Sequence, residues 1–398
     1  MVLSKRAQGI SGSITLAITA KEKAMRAEGI DVIGFGAGEP DFDTPLHIQQ
    51  EAINAINNGY TRYTPVSGIL ALREAICEKL KRDNFLEYKP TEIVVSNGAK
   101  HSLYNAFQAI LNPGDEVLIP APYWVSYPEL VKLCDGVPVF VNTTEDNLFK
   151  VRIEDLERAL TAKTKALILN SPNNPNGCVY TKKELTNIAD FAVKNKIFVI
   201  SDEIYEKLIY DDQEHISIAS LNDRIRDYTI VINGVSKAYA MTGWRIGYTA
   251  SNHTLASIMN NIQSHATSNP NSIAQYASIA AFNGPQDCLH DMVLRFKERR
   301  NYMVERINSI KGLSCKKPMG AFYVMVNIGD TFNRRIDDYI INGSMDFTEA
   351  LLSKAKVAVV PGISFGADSF IRLSYATSME NIKEGLNRIE QFINKLMK

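Results

Sequence analysis

The stretch Gly234-Val-Ser-Lys-Ala-Tyr-Ala-Met-Thr-Gly-Trp-Arg-Ile-Gly247 places one lysine and, eight positions on, one arginine among small residues, in a segment that makes a poor helix and a poor strand. It follows Tyr228–Ile232, whose β-branched residues read as a short buried strand. Lys237 therefore lies just past a strand's carboxyl end, where open α/β sheets bind ligands. A lysine amine works as a catalyst only once it can lose its proton, and desolvation or a neighbouring cation lowers its pKa toward that condition. Arg245 fits as that cation, and its planar fork of donors also fits a phosphate or carboxylate. An arbitrary lysine and arginine at this spacing are more often a solvated turn residue and a member of an ordinary ion pair.

Other residue types with chemical potential also fall at strand ends. Ile197–Ile200 is an apolar run that ends in Ser201-Asp202-Glu203-Ile204-Tyr205. Asp202 there is either a helix cap or a site carboxylate, and its spacing to Tyr205 puts both on one side of an expected helix. Strand Ile93–Ser96 breaks at Asn97-Gly98 into a helix expected from Ala99 to Leu111. Such a break leaves the first amides unpaired above the sheet, which makes a phosphate cup. Lys100, in that first turn, is disfavoured by the helix dipole and so calls for an anionic partner. Trp124 follows strand Val117–Pro120 and is either a stacking platform or a core residue. Ser171-Pro-Asn-Asn-Pro-Asn-Gly177 is a rigid turn. Arg372 is the one charge in strand Phe370–Tyr375 and must be paired, because an unpaired buried guanidinium is very costly.

The elements that hold these residues follow from pattern. Helices are expected over Ser13–Glu28, Leu46–Asn57, Ile69–Arg82, His253–Ile262, Asn271–Phe282, Asp291–Ile310 and Asp346–Lys356, with strands over Ala166–Asn170, Ala321–Val326 and Val357–Val360. From Glu92 strand and helix alternate at the spacing of a doubly wound sheet, so the fold class is α/β. Gly34, Gly36 and Gly38 do not form a dinucleotide loop, since the run ends in Glu39-Pro40 and not in a helix.

Lysine plus arginine and aspartate plus glutamate balance at 44 each in 398 residues, which points away from nucleic acid and anionic membrane. The five cysteines show no metal-ligand spacing and read as reduced thiols, and the six histidines are scattered singly, so no metal site is expected. No signal peptide or membrane span is evident, and a cytoplasmic enzyme is the expectation.

The segment around Lys237 resembles the lysine signature of class I aminotransferases, which carry pyridoxal phosphate as a Schiff base. The segments Ala37-Gly-Glu-Pro-Asp-Phe-Asp-Thr-Pro45, Pro122-Tyr-Trp-Val-Ser-Tyr-Pro-Glu129, Ser201-Asp-Glu-Ile-Tyr-Glu206 and Arg372-Leu-Ser-Tyr-Ala-Thr-Ser378 resemble the prokaryotic aspartate-active branch. The resemblance implies fold type I: a large, doubly wound, mostly parallel sheet domain over residues 46–295, and a smaller α+β lobe built from both chain ends, 1–45 and 296–398. It implies Lys237, Asp202 and Tyr205 as catalytic residues, with Asp202 on the pyridine nitrogen and Tyr205 and Asn174 on the 3-oxygen. Gly98, Ala99, Lys100 and Arg245 would hold the phosphate, Trp124 would stack on the ring, and Tyr63 would reach a neighbouring subunit's phosphate in a homodimer. Arg372 would grip the substrate α-carboxylate near the Gly38 backbone, with Trp124 and Asn174 also bordering substrate. Lys100, Ser13 and Thr15 would meet a distal carboxylate. Pro122 matches a position often held as a cis peptide, and Asn176 departs from the usual threonine. The implied reaction moves the amino group of L-aspartate to 2-oxoglutarate by a ping-pong route, giving oxaloacetate and L-glutamate. Prephenate, aromatic or neutral substrates, or a lyase on the same fold, are the alternatives. A regulatory protein would need an added DNA-binding region, which the sequence does not suggest.

Overall fold

Seven strands of the computed structural model, which describes residues 3–398, form one sheet. They are β1 (Ile93–Ser96), β2 (Glu116–Ala121), β3 (Val137–Asn142), β4 (Thr164–Asn170), β5 (Phe198–Asp202), β6 (Thr229–Gly234) and β7 (Gly247–Ala250). Their order is β1-β7-β6-β5-β4-β2-β3, and β7 alone runs antiparallel to its neighbours. Six carboxyl ends therefore share one edge, and the β6–β7 connection that carries Lys237 and Arg245 arches over it.

The strands read as unbroken apolar runs because helices cover both faces. On one face Leu103 and Phe107 of α4 (Ala99–Ile110) and Met259 of α7 (His253–Ala266) pack on Val94, Ile119 and Ile230. On the other, Leu185, Ile188 and Ala192 of α6 (Lys182–Asn195) pack on Leu118, Leu167 and Val199. Burying each such Leu, Ile or Val contributes roughly 1.5–3 kcal/mol. α5 (Ser126–Leu133) lies between β2 and β3 in sequence and joins the first of these faces through Tyr127 and Val131.

The second lobe draws on both ends of the chain. A four-stranded antiparallel sheet is built from β8 (Ser314–Cys315), β9 (Tyr323–Asn327), β10 (Val360–Pro361) and β11 (Phe370–Ser374), in the order β10-β11-β9-β8. The expected strand Val357–Val360 divides between two sheets: Val357–Ala358 pairs with Ile33–Gly34, and β10 pairs with β11. Pro361 is tolerated in β10 because that strand is at the edge, where a missing amide costs no ladder bond. Helix α1 (Ile14–Ala27) is capped by Ser13, whose Oγ accepts from the Leu16 amide. Helices α2 (Leu46–Asn57), α3 (Leu70–Asn84), α8 (Ser272–Asn283), α9 (Asp287–Asn308), α10 (Ser344–Ala355) and α11 (Met379–Leu396) complete the frame. The largest apolar cluster runs unbroken from Ile48 and Leu72 through Tyr205 and Phe322 to Leu386.

The helix expected after Asp202 does not form; residues 204–207 are turns. Neighbours take the backbone groups that a helix would need. Asp202 Oδ1 accepts the Ile204 amide at 3.2 Å, the Glu203 amide donates to Ile232 O at 2.9 Å, and Leu208 O accepts the Ala321 amide at 2.8 Å. Among the described residues no helix is long and apolar enough to cross a membrane.

Candidate active site

Along the carboxyl edge of the large sheet, a cleft of about 510 Å³ opens between the two lobes, with Lys237, Asp202, Asn174, Trp124, Arg245 and Arg372 in its wall. The Lys237 Nζ donates to Gly38 O at 2.5 Å and lies 6.0 Å from the centre of the Tyr205 ring. Glu39, next to Gly38, accepts from Thr242 Oγ1 at 2.8 Å, which ties the Gly38 segment to the loop carrying the lysine. Burial is the largest influence on the Lys237 amine. With Arg245 and Arg372, and against the Glu39 carboxylate, it lowers the pKa to about 8.

Asp202 is the last residue of β5 and is buried. Burial pushes its carboxyl up to about 6, opposed first by a hydrogen bond from Tyr127 and then by the Ile204 amide. The Tyr205 hydroxyl shares a 2.9 Å hydrogen bond with that of Tyr323, and burial holds its pKa well above the phenol value.

Arg245 has a left-handed backbone (φ 58°), and its Nη1 donates to Thr242 O at 2.7 Å. Its guanidinium lies against the start of α4. At Gly98 (φ +88°) any Cβ would fall 2.5 Å from Arg245 Nη2, so only glycine leaves this cradle open. Ala99 and Lys100, at the start of α4, line the same cleft as this guanidinium, and unpaired first amides beside a cation suit a phosphate dianion.

Arg372, from β11, is buried with neutral partners: Nη1 donates to Asn174 Oδ1 at 3.0 Å and Nη2 to Gly36 O at 2.9 Å. Its Nε has no partner among the described residues. Burial lowers its pKa, yet a guanidinium keeps its charge in proteins. The expected pairing is thus met by carbonyl oxygens and by the faces of Tyr323 and Phe365, at 4.4 and 5.1 Å, and not by an acid. A carboxylate arriving there would find a buried positive charge with a free donor.

The remaining expectations fare unevenly. Ala99 and Thr15 border the cleft, whereas Ser13 is committed to capping α1 and to a 2.8 Å bond with Thr15. Lys100 takes no acidic side chain as partner among the described residues; its ammonium lies 5.0 Å over the Trp124 ring, and burial with Arg245 lowers its pKa. Tyr63 is 91% exposed and away from this cleft. Asn176 Oδ1 accepts the Cys178 amide at 2.8 Å, so it braces the turn from within. The Ala121–Pro122 bond is cis, as are Ser171–Pro172 and Asn174–Pro175. Tyr127, Tyr323, Asn170 and Glu39 belong to the site without having been singled out. Asn170 Oδ1 accepts the Asn174 amide at 2.8 Å, and its Nδ2 donates to Asp202 O at 2.9 Å. A polar residue closing the apolar run of β4 was the signal for Asn170; Tyr127 and Tyr323 stand in segments whose patterns mark them as packing residues, and Glu39 stands in an exposed Gly-Pro turn.

A mostly parallel sheet that raises an amine of lowered pKa beside a buried acid, with an anion cradle and a spare buried cation within the same cleft, has the build of a vitamin B6 enzyme. Comparison with known proteins narrows that class: residues 30–389 match the family described as aminotransferase class I and II, and the chain belongs to it. It is 51% identical over 396 residues to an aspartate aminotransferase of Bacillus sp. (strain YM-2), covering 98% of this chain and 99% of that one. It is 47% identical to an aspartate/prephenate aminotransferase of Nitrosomonas europaea, covering 99% and 100%. A crystal structure of the aspartate aminotransferase from Rhizobium meliloti superposes over 100% of both chains with a TM-score of 0.96 at 42% identity. The protein is a pyridoxal-phosphate-dependent transaminase, and its cofactor is pyridoxal phosphate.

Proposed function

We propose that this chain transfers the amino group of L-aspartate to 2-oxoglutarate, yielding oxaloacetate and L-glutamate in a ping-pong cycle. The observation that carries the dicarboxylate reading is a pair of cations in one cleft, the buried Arg372 from the small lobe and Lys100 over Trp124 from the large one. Arg372 receives the α-carboxylate through two parallel hydrogen bonds, exchanging neutral acceptors for a charged one. Lys100, with the Thr15 hydroxyl, receives the distal carboxylate; Ser13 supports Thr15 from the helix cap. Gly38 brings backbone close to substrate.

Pyridoxal phosphate, held through the Lys237 amine, supplies a carbonyl carbon that accepts amino groups and a ring that draws electrons from the substrate α-carbon. Lys237 takes the proton from that carbon, which its low pKa permits. Asp202 would hold a proton on the ring nitrogen, while Tyr205 and Asn174 would donate to the 3-oxygen. Arg245, Gly98, Ala99 and the Lys100 amide would hold the phosphate, and Trp124 would stack on the ring. Tyr63 completes the phosphate site of a second copy in a homodimer. We place the large domain at 46–295 and the small lobe at 1–45 and 296–398, a division supported by the pairing of Ile33–Gly34 with Val357–Ala358. A cytoplasmic location fits the five free cysteines.

The relative named for both aspartate and prephenate supports a second, wider reading in which prephenate, a 2-oxo acid with a bulky ring, also enters. A panel of single amino acids mixed with holoenzyme and followed by absorbance separates the two. Aspartate and glutamate are expected to bleach the cofactor band fastest, and Lys100→Met to lower kcat/KM for aspartate by about 10- to 100-fold while sparing aromatic donors. A Lys100→Met enzyme that keeps its full preference for aspartate would remove the distal-carboxylate role.

A further inference from the structure

Tyr127 lies 75 residues from Asp202 in sequence, and its hydroxyl donates to Asp202 Oδ2 at 2.7 Å. The ring is 2% exposed and meets Trp124 edge to face, with centroids 5.3 Å apart and planes at 83°. The other carboxylate oxygen, Oδ1, has among the described residues only the longer bond from the Ile204 amide at 3.2 Å. Tyr127 therefore supplies the short restraint on this carboxylate. A hydrogen bond from a neutral phenol to a carboxylate is charge-assisted, so its full strength exists only while the acid is ionised.

We infer that Tyr127 is a positioning residue for the reaction: its phenol fixes the plane of the Asp202 carboxylate and keeps it negative, so that a ring nitrogen placed against it stays protonated. The inference rests on the role proposed above for Asp202. Burial alone drives a carboxyl toward its neutral form, and a neutral Asp202 would offer no counter-charge. The groups that bear on Asp202 come from three segments. Tyr127 on α5 holds its pKa down most, the Ile204 amide and Lys237 hold it down less, and Glu203 pushes it up. Tyr205, from the same turn as Glu203, faces it as a neutral phenol whose own titration burial pushes far upward. Tyr127 is also the restraint that can be removed by deleting one atom. Phenylalanine keeps the ring and its contact with Trp124.

The test combines two substitutions of opposite sign with one control. In Tyr127→Phe apoprotein carrying carboxyl-labelled aspartate, infrared titration of Asp202 is expected to move upward by a factor of about ten in the ionisation constant. The acid limb of the kcat/KM profile should move to higher pH by the same factor, and cofactor affinity at pH 6 should fall about tenfold. Replacing Tyr127 by 3,5-difluorotyrosine, a stronger donor, should move both titrations the other way. If neither variant moves the Asp202 titration, even with altered thermal stability, Tyr127 only packs and the inference is overturned. Asp202→Asn separates the two levels. It should abolish the limb and weaken cofactor binding; if it does neither, the role given to Asp202 fails and Tyr127 has nothing to position.

Discussion

The Lys237 amine sits under opposed fields, with burial, Arg245 and Arg372 favouring the neutral form and Glu39 favouring the charged one. Burial, Arg245 and Arg372 prevail, bringing the pKa from an ordinary 10.5 to about 8, so an appreciable share of the amine is free base in neutral solution. Its reactivity should therefore follow an unusually low titration. The rate at which apoprotein captures pyridoxal phosphate is expected to climb with pH and level off just above 8. A rate still climbing tenfold per pH unit at pH 10 would mark a solvated lysine and contradict the packing described. Glu39→Gln removes the stronger of the two carboxylates, Glu39 and Asp202, that oppose the shift, so the plateau should arrive at lower pH. Arg372 shows a related economy: its charge is buried before any carboxylate reaches it, and what holds it is two carbonyl oxygens and two aromatic faces.

At the level of elements, the turn that follows β5 and carries Tyr205 is held from behind by a buried ionic network. Lys79 on α3 pairs with Glu206, and Asn84 bridges them, its Nδ2 donating to Glu206 Oε2 at 2.8 Å and its Oδ1 accepting from Lys79 at 2.7 Å. Glu203 accepts from Ser201 and Ser217 at 2.8 and 2.7 Å and faces His215 Nε2 at 3.0 Å. Burial, the largest influence on Glu206, would raise its pKa, but Lys79, His215 and Lys207 together outweigh it and bring it to about 2. A carboxyl depressed on folding contributes stability above its unfolded pKa, near 4.5, and that contribution fades as pH falls toward 2. Lys79→Met leaves Glu206 buried and unpaired. It is expected to cost about 3–5 kcal/mol in urea unfolding at pH 7 and to move the acid transition to higher pH. The double variant Lys79→Met with Glu206→Met should recover most of the loss; no recovery would mean that packing around Lys79, and not its charge, holds the turn. None of this network is legible in sequence, because its members sit 122 residues apart and each alone reads as a solvated charge. Elements with strong local signals are legible: α2 lies where its periodicity puts it, and α4 begins where Gly98 breaks β1. By contrast β3, half-exposed at the sheet edge, has no clean alternation, and the turn after Asp202 is decided by bonds to residues 232 and 321 that no local window contains. The site divides the same way. Lys237, Asp202, Asn174 and Arg372 stand out by type and strand-end position, but the Arg372–Asn174 contact spans 198 residues and only folding reveals it.

Across the whole molecule, one apolar cluster joins the two lobes beneath the cleft, so substrate and cofactor groups meet on a frame continuous from α2 to α11. Outside that frame, Leu46, Ile53 and Ile56 of α2, Tyr60 and Tyr63 of the following loop, and Leu70 at the start of α3 leave their side chains in water. Apolar residues gathered along one stretch of surface mark a surface for association. The loop itself is firmly seated: Tyr60 stacks on Tyr276 with centroids 4.3 Å apart, and Gln263 Nε2 donates to Val66 O at 2.7 Å. Tyr63 is thus an exposed phenol on a fixed loop, outside the lining of its own cleft, which suits the role proposed for it in the cleft of a second copy. The homodimer proposed above would divide this labour between its two chains. Lys237→Ala disables the cleft of the chain that carries it, whereas Tyr63→Phe impairs only the partner's. Homodimers of the first should be inactive, and homodimers of the second should bind cofactor weakly. In a dimer that pairs one chain of each kind, one cleft holds an intact lysine and receives an intact Tyr63, while the other lacks both. Mixing the two proteins under exchange conditions should therefore restore, at low cofactor concentration, about half of a wild-type dimer's activity per hybrid, with wild-type cofactor affinity in the working cleft. If the hybrid binds cofactor as weakly as the Tyr63→Phe homodimer, the hydroxyl serves its own chain and the two clefts are not shared.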